Sequence, residues 1–150
     1  MLVGNMAIFE QTLKNVLEGV MPGYISQGMS AHLMTQSFGP LVDSQLSFAD
    51  IALAEVVGQD YNAKALTGVA VTLANGKIAI ISDPIIFGDP ITLPLFRYLV
   101  FATGLPGAAN TSKKLIAYSD LAMGGGAREV VRGSLVFNHG LEGWLSFSQA

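Results

Sequence analysis

The dipeptide Asn75-Gly76 constrains this chain more than any other feature. Both residues tolerate the left-handed backbone that a two-residue hairpin turn demands, and β-branched runs flank them on either side. Leu66, Val69, Val71 and Leu73 lead in, and Lys77, Ile78, Ile80 and Ile81 lead out. The sequence therefore predicts an antiparallel hairpin here, and from Ala65 onward the apolar period is two.

Residues 76–104 then hold three apolar runs, the dipeptides Asp83-Pro84 and Asp89-Pro90, and a lone arginine, Arg97. Each Asp-Pro predicts a bend, because the residue before proline is driven to extended geometry and Asp bonds its local backbone. Residues 95–102, LFRYLVFA, read as a central strand buried on much of both faces. An arginine in such a run needs a partner, since an unpaired buried charge is costly. Asp83, Asp89 and Asp120 are the candidates, with a strand edge and a solvated guanidinium as the alternative. Arg97 and Asp120 are taken as the structural residues.

Farther on, 104–112 reads as a loop, 113–122 as a strand, Gly124–Gly126 as a turn and 128–140 as one or two strands. The last strand, 141–148, alternates Leu141, Gly143, Leu145 and Phe147 against Glu142, Trp144, Ser146 and Ser148. Many short strands separated by turn signals point to a β-sandwich.

Upstream, residues 6–20 predict the one helix. Phe9, Leu13, Val16, Leu17 and Val20 share a face, and Glu10, Lys14 and Glu18 line another. Asn5 can cap its start and Pro22-Gly23 can stop it. Ile25 and the run Ala31–Met34 suggest short strands, with Gly28 and Gly39-Pro40 as turns. Residues 48–58 fit a helix slightly better than a loop entering a strand.

At 150 residues the expectation is one domain spanning 1–150, with a core of its own. Charged residues make up 13% of the chain, about half the usual quarter, which leaves weakly polar surface of the kind that ends against a partner. The net charge of −3 argues against nucleic-acid binding. The absence of cysteine excludes disulfides, thiolate metal sites and a cysteine nucleophile. A mean hydropathy of +0.48 raises a membrane reading, yet Pro, Gly or Ser breaks every apolar window short of the roughly 18 residues a span needs. The first residues lack a basic flank and carry Glu10, unlike a signal peptide, so a soluble chain made in the cytoplasm is expected.

Catalytic chemistry is sparse. His32 lies among apolar residues, as a core or edge histidine does, and His139 sits in the turn-like Asn138-His139-Gly140, where it is expected to be exposed. Neither sits in a recognisable context for a nucleophile–base pair. Gly124–Gly126 does not open a helix in a phosphate-cradling pattern. Asp83 and Asp89 offer too few oxygens for calcium and fit turns better. The chain is expected to be no enzyme and to bind no cofactor or metal.

Several pieces together resemble a family of small phage structural proteins, comprising minor capsid, decoration and tail-associated components. They are Asp60-Tyr61 before Lys64–Leu66, Phe96-Arg97-Tyr98, and Lys114-Leu115-Ile116-Ala117-Tyr118-Ser119-Asp120. Phe137, Gly140 and Trp144–Ser148 close the match, which covers about residues 56–148 and more loosely the helix. The segment around Asp83–Pro94 is richer in proline than that pattern, and residues 24–47 lack its polar strand and loop. In that family a short helix precedes a jelly-roll-like sandwich. The expected class is thus mainly β, a jelly-roll-like or immunoglobulin-like β-sandwich with one N-terminal α-helix.

The resemblance implies a virion structural protein, foremost a capsid decoration (cement) protein assembled in the host cytoplasm. It would form a trimer or dimer, bind the major capsid protein or other virion proteins through apolar contacts, and engage neither nucleic acid nor membrane. Phe38, Leu41, Ile85, Ile86, Phe87 and Leu105, read as apolar loop residues, are the expected partner contacts. A tail, neck or collar component is the first alternative. A carbohydrate-binding sandwich, with Trp144 and Tyr98 stacking on sugar, is the alternative of another class.

Overall fold

The structure, a computed structural model, describes residues 1–18, 27–58, 60–74, 76–122 and 126–148. The chain is mainly β, and the described strands form three sheets. The largest has five strands: β2 (Ala7–Ile8), β9 (Leu115–Asp120), β8 (Tyr98–Thr103), β3 (Met29–Met34) and β4 (Lys64–Ala65), in that spatial order. Every neighbouring pair in it is antiparallel.

Residues of β3 and β8 are buried throughout, which is why they read as continuous apolar runs rather than alternating ones. Their two faces serve two cores. Ala31, Leu33, Leu99 and Phe101 join the main core, whereas Met34, Tyr98 and Val100 join a smaller one with Phe9, Phe38, Phe48 and Ile51.

A second sheet orders β11 (Leu145–Ser148), β6 (Lys77–Ile81) and β5 (Ala70–Ala74), all antiparallel. The hairpin predicted around Asn75-Gly76 is therefore present as β5 and β6, with Gly76 at φ +74°; Asn75 lies outside the described residues. A third sheet joins β1 (Leu2–Val3), β10 (Arg128–His139) and β7 (Ile85–Phe96), with β1 parallel to β10.

Several expectations need correction. Asp89-Pro90 does not end a strand: it lies inside β7, where three steps from Gly88 to Ile91 oppose two from Leu135 to Gly133. The surplus residue is absorbed as a bulge, so proline survives on a strand with one unpaired edge. The run 95–102 is two strands rather than one. At Arg97 the chain leaves β7 for β8, its N–H donating to the Met34 carbonyl and its own carbonyl accepting from Leu121 N–H, each at 2.8 Å.

The helix α1 covers Glu10–Leu17, less than the expected 6–20. Ala7 and Ile8 instead pair with Tyr118 and Ala117, so the backbone is extended where helix was predicted. Asn5 caps no helix; its Oδ1 accepts from Ser146 N–H at 3.0 Å. Val20, Pro22-Gly23 and Ile25 fall outside the described residues, as do the first two glycines of Gly124–Gly126. Residues 48–58 make two 3₁₀ turns, Phe48–Asp50 and Ala52–Ala54, before Glu55 bridges to Met34.

Candidate functional site

β5, β6 and β11 stand in register, and the register defines a surface. Leu73 pairs with Ile78 and Ile78 with Phe147, so these three side chains form one row across the sheet. One step along, Val71 pairs with Ile80 and Ile80 with Leu145. Ile80 and Leu145 are buried in the main core. The row beyond them is not: Leu73 is 78% exposed, Ile78 48% and Phe147 40%. The sheet's apolar face outruns the core that covers its base. Alternating patterning marked these residues as one face, but their exposure depends on where the core ends, which no period reveals.

The alternation expected for 141–148 breaks at its start. Leu141 is exposed and Trp144 wholly buried, because β11 begins only at Leu145. Gly143, at φ +76°, brings Trp144 into the core, and its α-carbon lies so close to Ile80 that a Cβ would meet that carbonyl at 2.4 Å.

The expected partner contacts divide evenly. Leu41, Ile86 and Leu105 are exposed, on three different segments. Phe38, Ile85 and Phe87 are buried and so are not surface contacts of this fold. Residues 85–87 are the start of β7 rather than a loop, so the strand turns Ile85 and Phe87 inward and Ile86 outward. Phe38 meets Tyr98 edge-on at 5.0 Å in the smaller core. A second exposed apolar group, Leu53, Val57, Pro94 and Leu95, lines a shallow groove of about 750 Å³.

Arg97 holds Asp120 in a fork, Nε to Oδ1 at 3.1 Å and Nη2 to Oδ2 at 2.9 Å. The pair lies across the ladder between β8 and β9, where Tyr98 opposes Asp120. The Arg97 guanidinium draws the Asp120 carboxyl below the usual carboxylate range, helped by Ala122 N–H, and Asp120 in turn raises Arg97. Both side chains keep part of their surface in solvent, so the pair is neither buried nor free. Asp83 and Asp89 take no part: Asp83 accepts from the Thr67 hydroxyl at 3.1 Å and Asp89 is exposed.

A polar network escaped sequence reasoning. His32 is buried, with Nε2 2.9 Å from Ser30 Oγ and Nδ1 2.5 Å from Glu55 Oε2. With Nδ1–H donated to the carboxylate, Nε2 is left to accept from the serine hydroxyl. Tyr61 donates to the same Glu55 oxygen at 2.9 Å and accepts from Leu33 N–H. Burial, and next the Glu55 charge, push the Tyr61 phenol up. Buried Lys113 donates to the Pro106 carbonyl at 2.6 Å; burial lowers its ammonium while Glu55 opposes the shift. The order of contacts is that of a serine–histidine–acid relay, but Ser30 exposes none of its surface. A nucleophile must touch its substrate, so in this conformation the network acts as core structure. The two-residue spacing of Ser30 and His32 on one strand was a legible signal; Glu55, 23 residues away, was not.

The other aromatic and histidine expectations resolve by burial. Trp144 and Tyr98 are buried and present no platform to a sugar. His139 is half-buried rather than exposed: Nδ1 donates to Gly140 at 2.7 Å and the ring meets Trp144 edge-on. Among the described residues no three His, Cys, Asp or Glu side chains cluster as metal ligands, and no helix is long and apolar enough to cross a membrane. Comparison of the chain with protein-family models, curated proteins and solved structures finds no match to any of them.

Proposed function

We propose that this chain is a phage virion structural protein of the capsid-decoration kind, a jelly-roll-like sandwich that binds the capsid lattice by apolar contact. The row Leu73–Ile78–Phe147 carries the reading. Exposed apolar side chains aligned across three strands favour a protein partner over solvent. The resemblance of Phe96–Tyr98 and Lys114–Asp120 to phage structural proteins supplies the setting. Adhesion of this type needs no catalytic centre, and the major capsid protein is the intended partner.

Mass spectrometry and immunogold labelling of purified particles of the encoding phage test this. Many copies on the head are the expected result. Labelling confined to the tail, neck or collar would transfer the same adhesive role to that position. Particles lacking the chain altogether would sink the virion reading.

A further inference from the structure

Among the described residues the backbone on the outer side of β5 has no partner strand, and the direction of its polar groups follows from one bond. Ile80 O accepts from Trp144 N–H at 2.8 Å, on the β11 side of β6. In an antiparallel ladder the N–H and C=O of one residue turn to the same side. Ile80 therefore turns away from its β5 neighbour Val71, and Val71 points its own N–H and C=O off the open edge. By alternation Leu73 does the same, while Thr72 faces β6.

Other edges among the described strands are blunted. β7 carries Pro90 and Pro94 and has Thr92 N–H taken by Asp60 at 3.1 Å. β11 has Ser146 N–H covered by Asn5, and β1, β2 and β4 are two residues long. β5 has no proline and no charge, and residues 65–76 carry no ionisable side chain. Sheet proteins usually guard such an edge, because it templates strand addition.

We propose that β5 pairs antiparallel with β5 of a second copy about a two-fold axis, joining the two three-stranded sheets into one of six strands. The register is set by the outward groups. Val71 and Leu73 of one copy exchange hydrogen bonds with Leu73 and Val71 of the other, and Thr72 lies opposite its own counterpart. The two-fold sets Thr72 against its symmetry mate, so a charge at the middle of the strand would meet its like; the uncharged strand fits a copy of itself. The pairing also sets Val71 beside Leu73 of the other copy on the face that bears Ile78 and Phe147. The two exposed apolar rows thereby become one strip. Nothing in this depends on a place in the virion.

The native chain has no cysteine, so single cysteines report the register directly. In the full-length protein Thr72→Cys should form a disulfide-linked dimer under mild oxidation, because directly opposed residues fall within disulfide reach. Ala70→Cys, on the same strand but out of register, should not. Sedimentation should show a dimer at tens of micromolar. Leu73→Pro removes an outward N–H and the leucine side chain at the seam but no bond to β6, so circular dichroism should stay near wild type while dimer affinity falls about tenfold or more. Thr72→Lys should weaken the dimer at low salt and recover at high salt. A monomer, a trimer, or a dimer in which Thr72→Cys fails to cross-link would overturn the pairing. Those results leave the virion reading standing, and particles without the chain would leave the pairing standing.

Discussion

The indole N–H of Trp144 donates to the Ser82 hydroxyl at 2.9 Å, tying the start of β11 to the end of β6. The same ring meets Phe101 of β8 at 5.2 Å and His139 of β10 at 5.4 Å, so one side chain joins strands of two sheets to the segment that follows β6. Trp144→Ala should cost about 3–5 kcal/mol by urea unfolding, the range for emptying a large aromatic site. As the one tryptophan of the chain, it should emit at short wavelength in the native state and resist iodide quenching. Red-shifted, freely quenched emission would contradict its burial.

Gly143 and Gly76 offer a paired comparison. Both have positive φ, +76° and +74°, but a Cβ at Gly143 would meet Ile80 O at 2.4 Å while Gly76 has open space around it. Gly76→Ala should cost about 1 kcal/mol, the penalty of a left-handed backbone with a side chain. Gly143→Ala must also push apart the contact that starts β11, and should cost clearly more. Equal losses in thermal melts would mean that β11 moves freely.

Strand patterning from Ala65 onward was legible because period two records which face meets the core. Three things were not. The second, smaller core buries Phe38 and the other face of β3, and no local pattern announces a second layer. Residues 85–87 carry loop-like punctuation from Pro84 and Gly88, yet the long partner β10 holds them extended. Ala7 and Ile8 favour helix locally, but pairing with β9 overrides that preference. The site was legible as one apolar face but not as an exposed one, since whether Leu73 and Ile78 are covered depends on the reach of the core beneath them.

Arg97 stands where the chain passes between sheets, and its side chain meets solvent as well as Asp120. Arg97→Ala should therefore destabilise less than truncating its buried neighbour Phe96. Arg97→Lys should behave like the alanine variant, since an ammonium cannot reproduce the two-pronged bond. A loss as large as that of Phe96→Ala would show that the guanidinium anchors the crossing itself.

The pH profile should have two limbs. Arg97 depresses the Asp120 carboxyl, and the N–H groups of Leu46 and Ser47 depress Asp50. Groups lowered on folding stabilise above their unfolded pKa and lose that contribution as pH falls through the folded one, so stability should drop below about pH 4. Burial raises the Tyr61 phenol, whose contribution is complete below the ordinary phenol value and lost as pH climbs beyond about 10. Urea midpoints across pH should show both limbs. Asp120→Asn should shallow the acid limb and Tyr61→Phe the alkaline one; unchanged limbs would misplace the titrating groups.

The Ser30–His32–Glu55 network separates structure from chemistry most sharply. His32 lies 4.1 Å from the Phe48 ring, centroid to centroid, and bonds both polar neighbours. His32→Ala would open a cavity and take one partner each from the serine hydroxyl and the carboxylate, which keeps its bond from Tyr61, at a cost of about 3 kcal/mol. Ser30→Ala removes one neutral donor and should cost about 1 kcal/mol. A phosphonate probe that labels activated serines should leave the folded wild type unmodified, since Ser30 has no exposed surface. Stoichiometric labelling at Ser30, lost in His32→Ala, would mean that the relay opens in solution and that the chain carries a hydrolytic centre instead of a core network.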